Sequence, residues 1–347
     1  MKTIKTVLSG LGRIGWQFHL PSITGHEGFC LAAVCDPVAE RLQEAAALYP
    51  AKGYADFAAM ILEEKPSLAV IACPTHIHAE QAIFAMEHGC DVFIDKPIAP
   101  DLAETDKILA VAERTGRRLM VYQPQRGSAE TCTLQGILES GIVGDVFLLK
   151  KNRASFLHRN DWQAFKKFGG GMLNNYGAHH IDELLHVAKS TAAKVNGHMN
   201  RIAAAGDADD FAKILIQTQN GITLDIEINM ASAADLPELM AYGSCGTVSQ
   251  FYNDDGAAFL VRYFDPKEQA QTAVSESLAA AGRAYVSAAP QNWCERVVPV
   301  REDAAVDFYA KCYAYFALGE EPYVPADETR EVMRVIEACR KDAGWES

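Results

Sequence analysis

The sequence predicts an α/β protein, in which a doubly wound parallel sheet is followed by an α+β domain with a large, mainly antiparallel, open-faced sheet. In the first 120 or so residues, short apolar runs alternate with stretches of helical spacing, which is typical of a parallel sheet covered on both faces. Beyond residue 123, strand-like segments follow one another without helices between them, which favours antiparallel pairing. A length of 347 residues also favours two domains, and we place them at 1–123 and 124–347.

The first domain is predicted from its apolar runs. Buried strands are expected at Ile4–Ser9, Leu31–Cys35, Leu68–Ala72, Asp91–Ile94 and Leu119–Tyr122. Helical spacing between the strands predicts helices at Val38–Leu48, His76–His88 and Leu102–Thr115.

The second domain is predicted from alternating apolar and polar positions. Its strands are expected at Val146–Phe156, Lys194–Ala204, Ala212–Gln219, Thr223–Met230, Glu238–Tyr242, Thr247–Phe251 and Ala257–Arg262. Helices are expected at Glu130–Ser140, near Glu302–Leu318 and at Asp327–Ala343, the last of them packing back on the first domain. Residues 265–292 are poor in large apolar side chains and are interpreted as an excursion or a lid.

Charge and composition exclude several classes of function. A formal net charge of −13 repels phosphate backbones, so nucleic acid is not an expected partner. Short basic pairs such as Lys150-Lys151 are interpreted as solvated surface. No run of 18 apolar residues occurs, and glycines interrupt the N-terminal stretch before a signal-peptide core forms, so neither a membrane span nor secretion is expected. Nine scattered cysteines without a CxxC pair favour reduced thiols and a cytoplasmic location.

A glycine-rich loop follows the first predicted strand. The segment Gly10-Leu11-Gly12-Arg13-Ile14-Gly15 fits the pattern GxGxxG, and all of these residues except Leu11 are predicted to contact a dinucleotide. Gly10 permits the tight turn, Gly12 lets the backbone approach a pyrophosphate, and Gly15 lets the helix pack on the strand. Asp36, 21 positions after Gly15, suits the ribose hydroxyls, and its charge favours NAD over NADP.

Two further segments carry candidate chemistry. The sequence Asp95-Lys96-Pro97 ends a strand at the sheet edge where ligands bind in such folds. The segment GGGMLNNYGAHHID occupies residues 169–182, and a helix over 175–186 would place Asn175, His179 and Asp182 on one face. His180 would point about 100° away and is interpreted as a supporting residue. The spacing of His76, His78 and this histidine pair is not that of a usual zinc site, so no metal is predicted.

The order and spacing of these motifs, with Pro74-Thr75 and His78 between them, resemble the Gfo/Idh/MocA family of glucose–fructose oxidoreductase and inositol dehydrogenase. The resemblance covers essentially the whole chain, including the turn Glu321–Pro325. It implies a dinucleotide-binding domain, an open-faced sheet used for oligomerisation, and hydride transfer between NAD(P) and a sugar, cyclitol or similar alcohol. It also implies a cis peptide bond before Pro97.

The resemblance assigns three catalytic residues. The family's lysine falls on Lys96 and its histidine on His179, whereas its usual aspartate falls on Asn175, which carries no charge. Asp95 likewise replaces a glutamate. A histidine with a pKa near its ordinary value of about 6.5 suits the general base, and the Lys96 ammonium would stabilise a developing alkoxide.

The remaining candidates surround these three. For the cofactor they are Pro74, Thr75, His78, Asp95, Lys96 and Gln123; for the substrate they are Lys96, Arg126, Arg153, Asp161, Trp162, Asn175 and His179. The partners expected are a small sugar or polyol and further copies of the chain, as a dimer or tetramer formed through the open sheet face. Two alternatives stay open: a non-catalytic dinucleotide-binding regulator, disfavoured by retention of Lys96 and His179, and a glycosidase that oxidises its substrate transiently at the same site.

Overall fold

A computed structural model describes residues 3–268 and 292–345 of the chain. Its first sheet has six parallel strands in the order β3-β2-β1-β4-β5-β6. Strands β1 to β6 span Ile4–Ser9, Phe29–Cys35, Lys52–Tyr54, Leu68–Ile71, Asp91–Asp95 and Leu119–Tyr122. The strand order reverses between β1 and β4, so a crevice forms beyond their carboxyl ends.

Five helices cover this sheet. Helices α1 to α5 span Leu20–Gly25, Ala39–Leu48, Phe57–Glu64, His78–Glu87 and Leu102–Thr115. Helix α5 shows why its ends lie where they do: the Asp101 carboxylate accepts a hydrogen bond from the Glu104 amide at 2.8 Å, and Gly116 ends the helix with a φ of 63°. Strands β1, β2, β4, β5 and β6 are mostly apolar and buried on both faces, whereas the edge strand β3 is mainly exposed.

The second sheet has eight strands in the order β14-β13-β12-β11-β7-β10-β9-β8. Strands β7 to β14 span Val146–Ala154, Ala192–Asn200, Phe211–Thr218, Thr223–Asn229, Leu239–Gly243, Gly246–Asn253, Gly256–Tyr263 and Cys294–Pro299. Only β7 and β10 pair in parallel; the other neighbours are antiparallel. The predicted fold class, a parallel sheet followed by a mainly antiparallel one, is confirmed.

Helices cover one face of this second sheet. They are α6 (Ala129–Glu139), α7 (Ala178–Ala188) and α9 (Ala326–Asp342), of which α7 and α9 contact the sheet directly and α9 also packs against α5. Helix α8 (Phe308–Tyr313) packs instead against the first sheet, where its aromatic rings contact Phe29 and Phe93. We call the opposite side the outer sheet face; it carries Lys150, Lys213, Leu215, Asp225, Glu227, Tyr242, Leu260 and Val297. Ion pairs join Lys213 to Asp225 at 2.6 Å and to Glu227 at 3.1 Å on that face.

Some elements differ from the sequence prediction. Strand β3 has three residues and β14 is largely exposed, so neither shows the apolar run on which the prediction relied. Lys151, interpreted from the sequence as solvated, is 5% exposed. Of the segment interpreted as an excursion or lid, residues 269–291 lie outside the described residues. In the described part of the chain, no helix is long and apolar enough to cross a membrane.

Candidate active site

A cavity of about 1490 Å³ lies beyond the carboxyl ends of the parallel strands and is closed on its other side by the second domain. Its walls come from the glycine loop, from the ends of β2, β4 and β5, from residues 157–163 and from residues 169–180. Because the volume exceeds the ~300–1,000 Å³ of most ligand pockets, the cavity has room for a dinucleotide together with a second molecule.

The glycine loop lines one end of this cavity. Gly10 has a φ of 94°, and a Cβ there would lie 2.5 Å from the carbonyl oxygen of Ala72. A Cβ on Gly15 would lie 1.8 Å from the carbonyl oxygen of Gly10, so this glycine is required by packing and does not line the cavity. A Cβ on Gly12 would meet no described protein atom within 4 Å, and the residue borders the cavity together with Arg13 and Ile14.

Asp36 is held rigidly at the end of β2. Its carboxylate accepts hydrogen bonds from the amides of Leu11 at 2.8 Å and Val38 at 3.0 Å. The Arg41 guanidinium lies 3.2 Å from the same carboxylate and also borders the cavity. A carboxylate has about four lone pairs, so acceptor capacity remains for ribose hydroxyl groups.

His78 borders the cavity and contacts two segments of its wall. Its ring nitrogens lie 2.8 Å from the carbonyl oxygen of Cys73 and 3.0 Å from that of Pro97. Burial lowers the pKa of His78 to about 4, so the ring is neutral at pH 7. Pro74 and Thr75 lie in the segment after β4 that begins at Cys73, and Pro97 follows Lys96. His78 therefore links these two segments.

Lys96 lies at the centre of the cavity wall. The Lys96–Pro97 peptide bond is cis, as the resemblance implies. The Lys96 ammonium donates hydrogen bonds to the backbone carbonyl of Asn175 at 2.8 Å and to its side-chain oxygen at 3.0 Å. Burial lowers the pKa of Lys96 to about 8, although the Asp95 carboxylate opposes the shift. Burial also raises the pKa of Asp95 to about 6.

The paired histidines follow a π-helical turn, Leu173–Gly177, which leads into α7. Asn175, His179 and His180 all border the cavity. Burial, followed by the nearby Lys96 ammonium, lowers the pKa of His179 well below its ordinary value, and burial does the same for His180. Both rings are therefore neutral, and the Nδ1 atom of His179 is buried without a hydrogen-bond partner among the described residues.

Asp182, expected on the same face as His179, points elsewhere. It is 1% exposed and accepts a hydrogen bond from Nε of Arg126 at 2.9 Å. A second nitrogen of Arg126 donates to Glu328 on α9 at 2.6 Å. The guanidinium of Arg126, which was predicted to bind substrate, is therefore buried in ion pairs and does not border the cavity.

Gln123 also lies outside the cavity. Its side-chain amide donates to the carbonyl oxygen of Ala178 at 3.4 Å, and the residue is buried. Its neighbours Tyr122, Pro124 and Gln125 do border the cavity, so the side chain of Gln123 turns away from it towards α7. The structure thus does not bring Gln123 together with the other residues predicted to bind the cofactor.

The substrate side of the cavity has features that sequence reasoning missed. Lys151 borders the cavity, and its ammonium lies 3.1 Å from the Glu183 carboxylate, which also accepts a hydrogen bond from the Thr131 hydroxyl at 2.7 Å. Leu149, Lys151 and Arg153 share one face of β7, so the period of two in this strand was the signal that could have found Lys151.

The predicted substrate residues Arg153, Asp161 and Trp162 do border the cavity. Arg153 pairs with Glu238 at 3.3 Å, and its guanidinium carbon lies 5.2 Å from the centroid of the Tyr176 ring. Asp161 pairs with Arg159 and also accepts a hydrogen bond from the Gln163 amide at 3.1 Å. Acidic and basic side chains thus alternate along this wall, which suits a neutral, hydroxyl-rich ligand. No group of three potential metal ligands is found within residues 3–268 and 292–345.

Comparison with known proteins places this arrangement among oxidoreductases. The chain is 27% identical over 203 residues to D-glucoside 3-dehydrogenase of Escherichia coli K12, covering 56% of this chain and 57% of that protein. It is 26% identical over 242 residues to D-apiose dehydrogenase of Paraburkholderia graminis, covering 67% and 62%. The matched regions thus span little more than half the length of these relatives.

A solved structure shares the fold over almost the whole chain. The NAD-binding protein from Listeria innocua superposes with a TM-score of 0.81 at 24% identity, covering 99% of this chain and 95% of that one. Residues 4–123 match the model of the oxidoreductase family with an NAD-binding Rossmann fold, and residues 132–249 match the model of the GFO/IDH/MocA C-terminal domain. With both of its domains matched in order, the chain belongs to the Gfo/Idh/MocA family of oxidoreductases.

Proposed function

We propose that this protein interconverts a secondary alcohol of a sugar, cyclitol or related polyol and the corresponding ketone, using NAD in preference to NADP. The observation that carries the proposal is the geometry of Lys96. An ammonium has three N–H donors, and Asn175 accepts two of them. One donor is left for an oxygen atom of a ligand in the cavity.

The chain's own residues suit a dinucleotide. The open space beside Gly12 would admit a pyrophosphate, Arg13 would neutralise part of its charge, and Asp36 would accept hydrogen bonds from the ribose. When bound, NAD supplies the two-electron acceptor, taking a hydride from the alcohol carbon. The carboxylate of Asp36 disfavours the additional phosphate of NADP by charge repulsion.

Lys96 and His179 would divide the proton chemistry. The free N–H of Lys96 would donate to the substrate hydroxyl and stabilise the negative charge that develops on its oxygen. His179 is neutral at pH 7, so a ring nitrogen is available to accept the hydroxyl proton. Asn175 would orient the Lys96 ammonium through its two oxygen atoms without adding charge.

A direct test screens sugars, cyclitols and glycosides with purified protein and NAD, following the absorbance of NADH and identifying products by mass spectrometry. We expect net NADH formation with a polyol, and its loss in Lys96→Met. Glycoside cleavage without net NADH would instead establish hydrolysis by transient oxidation. Tight NADH binding without turnover of any compound would favour a dinucleotide-binding regulator.

We also propose that the chain forms a dimer or tetramer through the outer sheet face and works in the cytoplasm. On that face Leu215 and Val297 are about half exposed, and the flanking charges are paired with one another. All nine cysteines are free thiols, which suits a reducing compartment. Measurement of the mass in solution, with charged substitutions at Leu215 and Val297, tests the oligomeric state.

A further inference from the structure

Arg340, near the end of α9, contacts both segments that carry catalytic groups. One guanidinium nitrogen donates to the carbonyl oxygen of Pro100 at 3.1 Å, and another donates to the side-chain oxygen of Asn174 at 2.7 Å. Pro100 lies four residues after Lys96, and Asn174 immediately precedes Asn175. A single planar group therefore connects the lysine segment to the histidine segment.

The two segments also lie close together at Gly169. The Asn174 amide donates to the carbonyl oxygen of Gly169 at 3.0 Å, and a Cβ on Gly169 would lie 3.5 Å from Cβ of Pro100. Inside the cavity the Lys96 ammonium donates to both oxygen atoms of Asn175. The Arg340 guanidinium thus closes a loop of contacts whose opposite side is the Lys96–Asn175 hydrogen bond.

The chemistry of these contacts is unusual for a cation. Both hydrogen bonds of Arg340 go to neutral oxygen atoms, and burial lowers the pKa of the guanidinium, although the Asp209 and Asp101 carboxylates oppose the shift. Burying a cation has a cost in solvation that neutral acceptors offset only in part. The planar Arg340 guanidinium can, however, hold two acceptors at once in a fixed geometry.

We propose that Arg340 is a positioning residue that sets the separation of Lys96 from Asn175 and His179. Arg340 touches neither the cavity nor a reacting atom, and it acts through the two segments that it joins. The inference rests on the proposed roles of Lys96 and His179. Its structural part, the link between residues 96–100 and 169–175, does not depend on the identity of the substrate.

Arg340→Met tests the link, with Arg330→Met as a matched control. Arg330 lies on the same helix and also reaches the first domain, through an ion pair with Asp106 at 2.6 Å, but both side chains of that pair are about half exposed and neither borders the cavity. We expect Arg340→Met to lower kcat about 10²-fold, the size of effect that a misplacement of about 1 Å can have. KM and the Kd for NADH should change little, and Arg330→Met should keep its kcat.

Two further variants separate positioning from general stability. Arg340→Lys keeps the charge and can still reach one acceptor, so it should recover part of kcat. Asn174→Ala removes one acceptor of Arg340 and also the amide that donates to Gly169, so on its own it should lower kcat in the same direction as Arg340→Met. A lowered melting temperature with normal kcat in Arg340→Met, or an equal loss of kcat in Arg330→Met, would overturn the proposal.

Hydrogen exchange gives a readout that needs no substrate. In Arg340→Met the amides of residues 98–102 and 169–176 should exchange faster than in the wild type, whereas Arg330→Met should leave both segments unchanged. If no polyol is turned over, the proposed function fails but this comparison still decides the link. Unchanged exchange in both segments would overturn the link even where polyol oxidation is established.

Discussion

At the scale of single residues, Asn175 is an uncharged residue at the position where the family resemblance implies an aspartate. Two oxygen atoms of Asn175 hold the Lys96 ammonium, so the residue at this position acts on the lysine. Because Asn175 is uncharged, the lowering of the Lys96 pKa is opposed by the Asp95 carboxylate and not by residue 175. The lysine is therefore able to lose its proton a little above neutral pH.

Asn175→Asp should move the pH profile of kcat/KM in a defined direction. With a pKa of about 8, Lys96 is charged below that pH, and activity that depends on its ammonium falls as pH rises through it. A carboxylate at position 175 favours the charged forms of Lys96 and His179 and so raises both pKa values. Both limbs of the profile should then move to higher pH. Asn175→Ala, which adds no charge, should not reproduce the shift; a profile identical to the wild type would contradict the expectation.

His179 and His180 should respond differently to alanine substitution. We expect His179→Ala to reduce hydride transfer by roughly 10²–10⁴-fold, as for the loss of a general base, with nearly normal NADH binding. The His180 ring stacks near Tyr176 with centroids 6.0 Å apart and lies 3.9 Å from Glu183, so His180→Ala should mainly affect substrate affinity or stability. Single-turnover kinetics would measure both. Equal losses in the two variants would show that the roles are assigned wrongly.

Cofactor preference should depend on Asp36 and be moderated by Arg41. The wild type should bind NADH more tightly than NADPH, because Asp36 repels the additional phosphate. Removing the guanidinium in Arg41→Met leaves that carboxylate unpaired, and NADPH binding should weaken further while NADH binding is retained. Titration of both cofactors into both proteins by fluorescence would test this. Tighter binding of NADPH by the wild type would refute it.

At the scale of elements, two glycines of the glycine loop have different roles: Gly15 is needed for packing and Gly12 for cofactor binding. A Cβ on Gly15 would collide with the backbone of Gly10, whereas a Cβ on Gly12 would meet no described protein atom within 4 Å. Gly15→Ala should therefore lower the melting temperature as well as weaken NADH binding. Gly12→Ala should weaken NADH binding while the melting temperature stays normal. Calorimetry and NADH titration on each variant would decide, and a large loss of stability in Gly12→Ala would contradict the assignment.

The elements also show what the sequence could reveal. Strands β1 and β6 and helix α5 have the predicted bounds, because apolar runs and capping residues mark them locally. The ion pair between Arg126 and Asp182 could not be predicted from the sequence, because it depends on how α7 packs beside the edge strand β6. Asn175 lies in the π-helical turn before α7, so its phase relative to His179 departs from the plain period of 3.6 on which the sequence prediction relied.

At the scale of the whole molecule, the outer sheet face should control association. We expect the wild type to be a dimer or tetramer in solution, and the double change Leu215→Lys with Val297→Lys to produce smaller species while NADH binding is kept. The matched control, Leu48→Lys with Leu62→Lys, alters similarly exposed leucines on α2 and α3 and should not change the assembly. Light scattering after size exclusion would measure the mass. A monomeric wild type would contradict the expectation.

The central position of β7 has a consequence for how the protein is made. This strand pairs with β10 on one side and β11 on the other, and both lie much later in the chain. At about 5–20 residues per second, a ribosome needs roughly 5 to 20 seconds after finishing β7 to supply both neighbours. During that interval the nascent strand has two open edges, which invite pairing with other chains. Charged side chains at Lys150, Lys151 and Arg153 disfavour such pairing until the two neighbouring strands have been made.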